Sequence, residues 1–237
     1  AHPGAQPFRQ GTNCQQCHRG EEVRMGAALG SEAPTSRTIS LGFDANNSRL
    51  AITLSWKGQA DDTDVAVMWG DGGNEVFRRG GCFAACHSDM PGMNRDRGLN
   101  LNKYLSSSRA QQQMIGQPPL PKTAAELDSM IRAGEFIELW RIKLQEGGKI
   151  EAATLLSEPK WLGSGGMRAS AAFKQGMWTV RIERPSEPES PLKPMNASRR
   201  YTFGIAMHPY NRPGAKHWVS LPMTFSIDGD DTDFRAD

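Results

Sequence analysis

All four cysteines of this 237-residue chain lie in two short segments, and each segment ends in a histidine. The first, Cys14 to His18, reads CQQCH, and the second, Cys82 to His87, reads CFAACH with one more residue between its cysteines. C-x-x-C-H is the attachment sequence of a c-type haem, and C-x-x-x-C-H is a longer version of it. The sequence therefore predicts two covalently bound haem c groups, around which the chain must fold.

The chemistry of c-type haem assigns a role to each of these side chains. Two thiols add across the porphyrin vinyl groups, and the histidine beside the second thiol becomes the proximal ligand of the iron. This predicts four thioether cysteines and two proximal histidines: Cys14, Cys17, Cys82 and Cys86, with His18 and His87. A zinc site usually needs four ligands from one cluster, and a disulfide does not need a trailing histidine, so both are weaker interpretations.

Each iron can take a sixth ligand from histidine, methionine or lysine. His217 is the first residue of a predicted last strand, residues 217–227. The alternate apolar residues of this strand share one face, namely Val219, Leu221, Met223, Phe225 and Ile227. His217 has the same parity and is the preferred ligand, on the apolar side where a haem would lie. His208 shares a face with the small residues Gly204 and Ala206 and stays an open alternative.

Other candidate ligands are weaker. His2 stands in a terminal arm, where a solvated histidine is the simpler interpretation. Met90 and Met93 follow the second motif in a polar loop, where an apolar residue needs a reason, and they are lower-ranked alternatives.

Composition limits the classes of function. The net charge is +2 with dispersed basic residues, which argues against a nucleic-acid partner. No run of about 18 apolar residues is present, so no transmembrane segment is predicted. The chain starts at Ala1 without a signal peptide, which is typical of a mature exported protein or of a trimmed one.

Residue periodicity indicates a mainly β fold. Apolar residues alternate through 37–56 as in a hairpin, and Val65–Trp69 is a third strand. Two helices are predicted in the middle of the chain, 102–114 and 122–133, and the second begins with a capping box of Thr123 and Glu126. Further strands are expected at 136–144, 149–156, 167–173, 177–182, 200–207 and 217–227, followed by a frayed acidic tail from Asp228. The prediction is a β-sandwich, 36–237, with a short helical insertion and an N-terminal haem-binding arm, 1–35.

The second motif and its surroundings resemble a known family. The matching stretches are Leu54–Lys57, Asp64–Trp69, Gly81–His87, Met90–Met93, Gly176–Val180, Phe203–His208 and Lys216–Ser220. They are similar to the haem-binding domain of the ethylbenzene dehydrogenase and dimethyl sulfide dehydrogenase γ-subunits, also described as the cytochrome c-552/DMSO reductase-like haem-binding domain. The resemblance covers roughly residues 37 to 228. It implies a β-sandwich that holds one haem and exchanges electrons with a partner oxidoreductase, often a molybdenum enzyme, in the periplasm.

The sequence departs from this family in two ways. The γ-subunits hold a non-covalent b-type haem between a methionine and a late lysine, whereas the cysteine pair and His87 here imply covalent attachment. The N-terminal C-x-x-C-H arm adds a second haem. By position, Met90 or Met93 corresponds to the family methionine and Lys216 to the lysine, so that Lys216 is an alternative to His217 opposite His87.

These observations predict a periplasmic dihaem electron-transfer protein of a respiratory chain rather than an enzyme. Its expected partner is a redox protein, either a molybdenum oxidoreductase or a membrane quinol-oxidising cytochrome. The alternative is a haem enzyme, a peroxidase or small-molecule reductase with one five-coordinate iron, since histidine is scarce. A gas or redox sensor would normally carry a signalling module.

Overall fold

Two β-sheets packed face to face form the body of the protein in a computed structural model. The structure describes residues 6–27, 36–83, 111–112, 120–156, 159–208 and 218–236. The N-terminal part contains three short helices: α1 (Gln6–Arg9), α2 (Cys14–His18) and α3 (Glu22–Ala27). Two further helices follow within the body, α4 (Glu75–Gly80) and α5 (Ala124–Arg132), and a 3-10 turn at Gly81–Phe83 continues directly from α4.

Most strands lie where the alternation of apolar residues in the sequence predicts them. Within the described residues they are β1 (Ser40–Asn46), β2 (Arg49–Lys57), β3 (Asp64–Gly70), β4 (Gln111–Gln112), β5 (Leu120–Pro121), β6 (Ile137–Lys143), β7 (Lys149–Leu155), β8 (Pro159–Trp161), β9 (Arg168–Lys174), β10 (Met177–Pro185), β11 (Tyr201–His208), β12 (Trp218–Val219), β13 (Met223–Ser226) and β14 (Phe234–Arg235). A 3-10 turn at Leu144–Glu146 joins β6 to β7. The mainly β prediction is confirmed.

The sheets differ in size. The small sheet has the order β1-β2-β10-β9, and the large sheet has the order β14-β13-β11-β3-β6-β7-β8, with β12 paired to β11. Every pairing in these two sheets is antiparallel except that of β13 with β14, which is parallel. The β1–β2 hairpin pairs Ser40 with Ser55 through to Asn46 with Arg49, as the alternation in residues 37–56 predicts.

Aromatic side chains fill the space between the sheets. Trp69 of β3 stacks on Trp140 at 5.2 Å and on Tyr201 at 5.0 Å between ring centres. Phe43 of the small sheet stacks on Phe225 of the large sheet at 4.6 Å. These rings belong to one continuous buried cluster, called here the inner core. Side chains therefore fill the space between the two sheets.

A second, smaller cluster lies on the opposite side of the large sheet. It contains Ala66, Met68, Leu139, Ala153 and Ala206 of the strands, which alternate with inner-core residues, together with Phe77 of α4 and Cys82. This side is called the outer face below. Helix α4 and the following 3-10 turn cover part of it.

A buried ion pair joins the two sheets at one end of the inner core. Arg184 of β10 donates to Glu138 of β6 at 2.7 Å, and both side chains are almost completely buried. Glu138 also accepts from the indole of Trp140 at 2.9 Å and from the backbone of Lys193 at 3.1 Å. A buried pair of this kind is tolerated because its remaining hydrogen-bonding capacity is used.

Three details differ from the sequence predictions. The last strand is broken into β12 and β13, because Pro222 lies in the connection and cannot donate to the sheet. The tail beyond Asp228 is not frayed, since β14 pairs with β13 and Phe234 packs on Phe43 at 5.4 Å. Most of the predicted helix 102–114 lies outside the described residues, but residues 111–112 form strand β4.

The helical insertion is confirmed at α5. Its N-cap Thr123 and Glu126 form the predicted capping box, with Thr123 backbone N–H donating to the Glu126 carboxylate at 2.7 Å. The apolar face of this helix, with Leu127, Met130 and Ile131, is half-buried.

Candidate haem sites

The first cysteine motif forms a single helical turn, α2. Asn13 caps it by accepting from the backbone of Gln16 at 2.8 Å, and the Gln16 side chain accepts from the Asn13 backbone at 2.8 Å. This reciprocal cap holds the turn without a hydrophobic core beneath it. Cys14 and His18 are half-buried and Cys17 is exposed, so the turn presents its thiols at the protein surface.

The state of these thiols bears on the alternatives to haem. Cys14 and Cys17 are not joined in a disulfide. Burial, and then the neighbouring Cys17, raises the pKa of the Cys14 thiol above its ordinary value. Among the residues that the structure describes, no three His, Cys, Asp or Glu side chains are grouped to hold a metal ion.

The turn is fixed to the sandwich through Asp233, beside β14. Gln15 donates to Asp233 Oδ1 at 3.1 Å, and Arg19, the residue after the motif, donates to the same oxygen at 2.8 Å. The other oxygen, Oδ2, accepts from the backbone and the hydroxyl of Thr224 at 2.9 and 2.8 Å. Although burial opposes ionisation, the hydrogen bonds from Thr224 and Gln15 and the charge of Arg19 lower the pKa of Asp233.

Cys82 of the second motif lies in the 3-10 turn on the outer face and is 7% exposed. The turn approaches the sheet so closely that a Cβ on Gly204 of β11 would lie 2.8 Å from Cys82 Sγ. Gly81 has φ +51°, and a Cβ there would lie 3.1 to 3.3 Å from Pro222. Glycine is required at both positions, at Gly204 for the approach and at Gly81 for its backbone conformation.

The outer face beside Cys82 combines small and large side chains. Gly204 and Ala206 of β11 are paired with Met68 and Ala66 of β3, and Ala66, Met68 and Ala206 are buried. The sequence predicts that His208 shares a face with Gly204 and Ala206, and the structure shows these two residues on the outer face.

His208 ends β11 at the edge of this face. It is buried, and its register partner across the sheet is Asp64 of β3. Burial raises the pKa of Asp64, although the charges of Arg141 and Lys143 oppose the shift. Because alternate residues of a strand share a face, His208 lies on the same face as Gly204, against which Cys82 packs. It is four positions further along β11, or about 13 Å of strand.

The face predicted for the last strand is wrong. Val219 packs in the outer cluster with Cys82, whereas Met223 and Phe225 contact the inner core. The break around Pro222 changes the parity between β12 and β13, so one alternation does not run through both. The haem side expected there is also wrong, because the side that Phe225 faces is filled by aromatic rings.

Several predicted site residues lie outside the described part of the chain. They are Cys86, His87, Met90, Met93, Lys216 and His217, together with His2. Of the predicted site residues that the structure describes, Cys82 and His208 are on the outer face, and Cys14, Cys17 and His18 are in α2.

The described residues fit covalent haem better than a metal ion bound by protein alone. In a C-x-x-C-H site the thiols bond to the porphyrin edge and only the histidine binds iron, so the three side chains need not converge on one point. One helical turn with two reduced thiols and an adjacent histidine meets this requirement. In the second motif the structure describes Cys82, which is buried against Gly204 of β11.

Sequence reasoning missed two groups that position these segments. Asp233 was assigned to a frayed tail, and its partners are more than 200 positions away in the sequence. Arg37 forms an ion pair with buried Asp62 at 2.7 Å and stacks on Trp218 at 4.1 Å, which ties the start of the sandwich to β12. Neither group has a local sequence signal, because each contact depends on the folded topology.

Comparison with known proteins gives one informative relative. No family model matches the chain. The chain is 25% identical over 247 aligned residues to cytochrome c-551 from Rhodocyclus tenuis, an alignment that covers 96% of this chain and 84% of the relative. No helix in the described residues is long and apolar enough to cross a membrane. The similarity supports a c-type cytochrome with covalently bound haem c, acting in electron transfer.

Proposed function

We propose that this protein is a periplasmic dihaem cytochrome c that transfers electrons to or from a partner oxidoreductase in a respiratory chain. Residues 1–35 form the arm of the first haem, and residues 36–237 form the sandwich that carries the second. The observation that carries the proposal is the pairing of two Cys-His motifs in a chain that is similar to a c-type cytochrome over nearly its whole length. When bound, haem supplies one-electron chemistry at its iron.

The roles of the residues follow from the motif chemistry. Cys14 and Cys17 hold the first haem, and His18 binds its iron. Cys82 and Cys86 hold the second haem on the outer face, and His87 binds its iron. The packing of Cys82 against Gly204 supports this location, because it places the first cysteine of the motif outside the inner core.

Two histidines compete for the sixth position of the second iron. His217 is the ligand that the sequence pattern favours, and it lies outside the described residues. His208 is supported by its burial at the edge of the outer face. Lys216, Met90 and Met93 remain the lower-ranked alternatives.

The redox partner that we propose is a molybdenum oxidoreductase or a membrane quinol-oxidising cytochrome. The proposal for the first rests on the family that residues 37 to 228 resemble. Neither partner requires this chain to span a membrane.

Optical spectroscopy of the reduced protein with carbon monoxide tests the carrier function. A carrier with two six-coordinate irons is expected to keep its spectrum, because carbon monoxide cannot bind without displacing a protein ligand. Rapid binding by one haem would instead support an enzyme, a peroxidase or small-molecule reductase. His217→Ala is expected to convert one haem to high spin, and His208→Ala serves as the matched variant; the reverse result would assign His208 as the ligand.

A further inference from the structure

One carboxylate links the first cysteine motif to the sandwich. Asp233 uses Oδ1 for Gln15 and Arg19, on either side of Cys17 and His18, and uses Oδ2 for Thr224 of β13. The Asp233 side chain is 11% exposed, whereas that of Arg19 is 68% exposed. The carboxylate is therefore built into the sandwich, and the arm is the part that docks on it.

The sheet register shows which face the arm reaches. Thr224 is paired with Thr202 of β11, and both alternate with inner-core residues, so they belong to the outer face. Gly204, against which Cys82 packs, lies two residues beyond Thr202 on the same face. Adjacent strands about 4.8 Å apart and a rise of about 3.3 Å per residue place the Cα atoms of Thr224 and Gly204 about 8 Å apart.

Helix α2 and Cys82 are thus attached to the same side of the large sheet, at neighbouring strands. The first reaches it through Asp233 at β13, and the second rests on it at Gly204 in the adjacent strand β11. The sequence spacing does not require this, since Cys17 and Cys82 are 65 positions apart. The juxtaposition comes from the pairing of β13 with β11.

We propose that Asp233 is a positioning residue that docks the first haem turn beside the second haem site, so that an electron passes directly between the two irons. This inference rests on the proposed function. One haem is oxidised as the other is reduced, and no other co-reactant is needed. Asp233 touches neither haem in this scheme and acts only by holding Gln15 and Arg19.

The hydrogen-bonding chemistry of a carboxylate favours aspartate at position 233. Both oxygens of a carboxylate accept hydrogen bonds, and those from a charged donor such as Arg19 are the stronger ones. An asparagine has one carbonyl oxygen and cannot accept from both Thr224 and the arm. Asp233→Asn therefore weakens the dock while keeping the size of the side chain.

The experiment compares Asp233→Asn and Arg19→Gln with Asp231→Asn in the full haem-loaded protein. Arg19→Gln removes the arm's charged contact and leaves the Thr224 bonds intact, so it remains informative if Asp233→Asn folds poorly. Asp231 is fully exposed and contacts Arg200 at 3.5 Å, so Asp231→Asn controls for the loss of one surface charge. The readouts are the rate of limited proteolysis between arm and sandwich and the amplitude of the fast interhaem phase after photoreduction.

Asp233→Asn and Arg19→Gln are expected to speed proteolysis about tenfold, a factor that corresponds to about 1.4 kcal/mol. The fast interhaem phase should lose amplitude in both, while Asp231→Asn behaves as the wild type. Unchanged proteolysis and unchanged kinetics, or an equal effect of Asp231→Asn, would overturn the inference. The haem count by mass is measured first: a missing first haem refutes the dihaem function, while proteolysis still decides whether Asp233 docks the arm.

Discussion

At the scale of single residues, the position of Cys82 depends on the absence of side chains at two glycines. Cys82 reaches the sheet only because Gly204 has no Cβ, which would otherwise lie 2.8 Å from its Sγ. Gly81 turns the chain toward Pro222 in a conformation that other residues rarely adopt. These two glycines set the depth at which the motif meets the outer face.

Gly204→Ala should therefore disturb the Cys82 segment. The added methyl group must displace the thiol, and overpacking of this kind costs about 1–3 kcal/mol. We expect a lower free energy of unfolding and a smaller fraction of molecules with haem at Cys82, measured by denaturant unfolding and by haem content. The first haem should be retained.

Gly42→Ala is the matched control. Gly42 also lies in a strand, and a Cβ there meets no atom within 4 Å. Full haem content and unchanged stability in Gly204→Ala would contradict the close packing of Cys82 on β11.

At the scale of elements, the alternation of apolar residues was enough to predict most strands. Residues 37–56 became the β1–β2 hairpin, and Thr123 with Glu126 correctly marked the start of α5. The errors came where tertiary contacts decide. The Ser220 hydroxyl accepts a hydrogen bond from the backbone N–H of Ile205 at 2.9 Å, in place of a regular sheet bond. The strand is then interrupted at Pro222. No local pattern in 217–227 indicates that break except the proline itself.

The cysteines and proximal histidines stay a prediction, which the motifs allow without tertiary information because haem attachment uses adjacent residues. The side of β11 on which Cys82 lies was not predictable, since it depends on where the 3-10 turn packs. Asp233 was also missed, because its role requires the arm, β13 and β14 to be brought together.

The ion pair between Arg184 and Glu138 is the polar link between β10 and β6. Arg184→Met should leave the Glu138 charge buried without its partner, which costs about 3–5 kcal/mol. The measurement is the free energy of unfolding in urea. Arg181→Met in the same strand is the control, since Arg181 is 40% exposed. Its loss should change stability by about 0.5 kcal/mol or less, and an equal effect of the two substitutions would argue against the link.

At the scale of the whole molecule, the sandwich acts as a scaffold whose interior is already filled. Its inner core is filled by aromatic rings, and α2 and Cys82 lie outside that core. The turn of α2 is at the surface, whereas Cys82 is buried on the outer face of the large sheet.

The central claim is that the chain carries two covalent haems, one in the arm and one on the outer face. The most direct measurement is the intact mass of the purified holoprotein under denaturing conditions, together with that of the Cys14→Ser/Cys17→Ser and Cys82→Ser/Cys86→Ser variants. We predict the mass of the polypeptide plus two haems for the wild type and plus one haem for each variant. One haem or none on the wild-type chain, or a haem that dissociates on denaturation, would contradict the account.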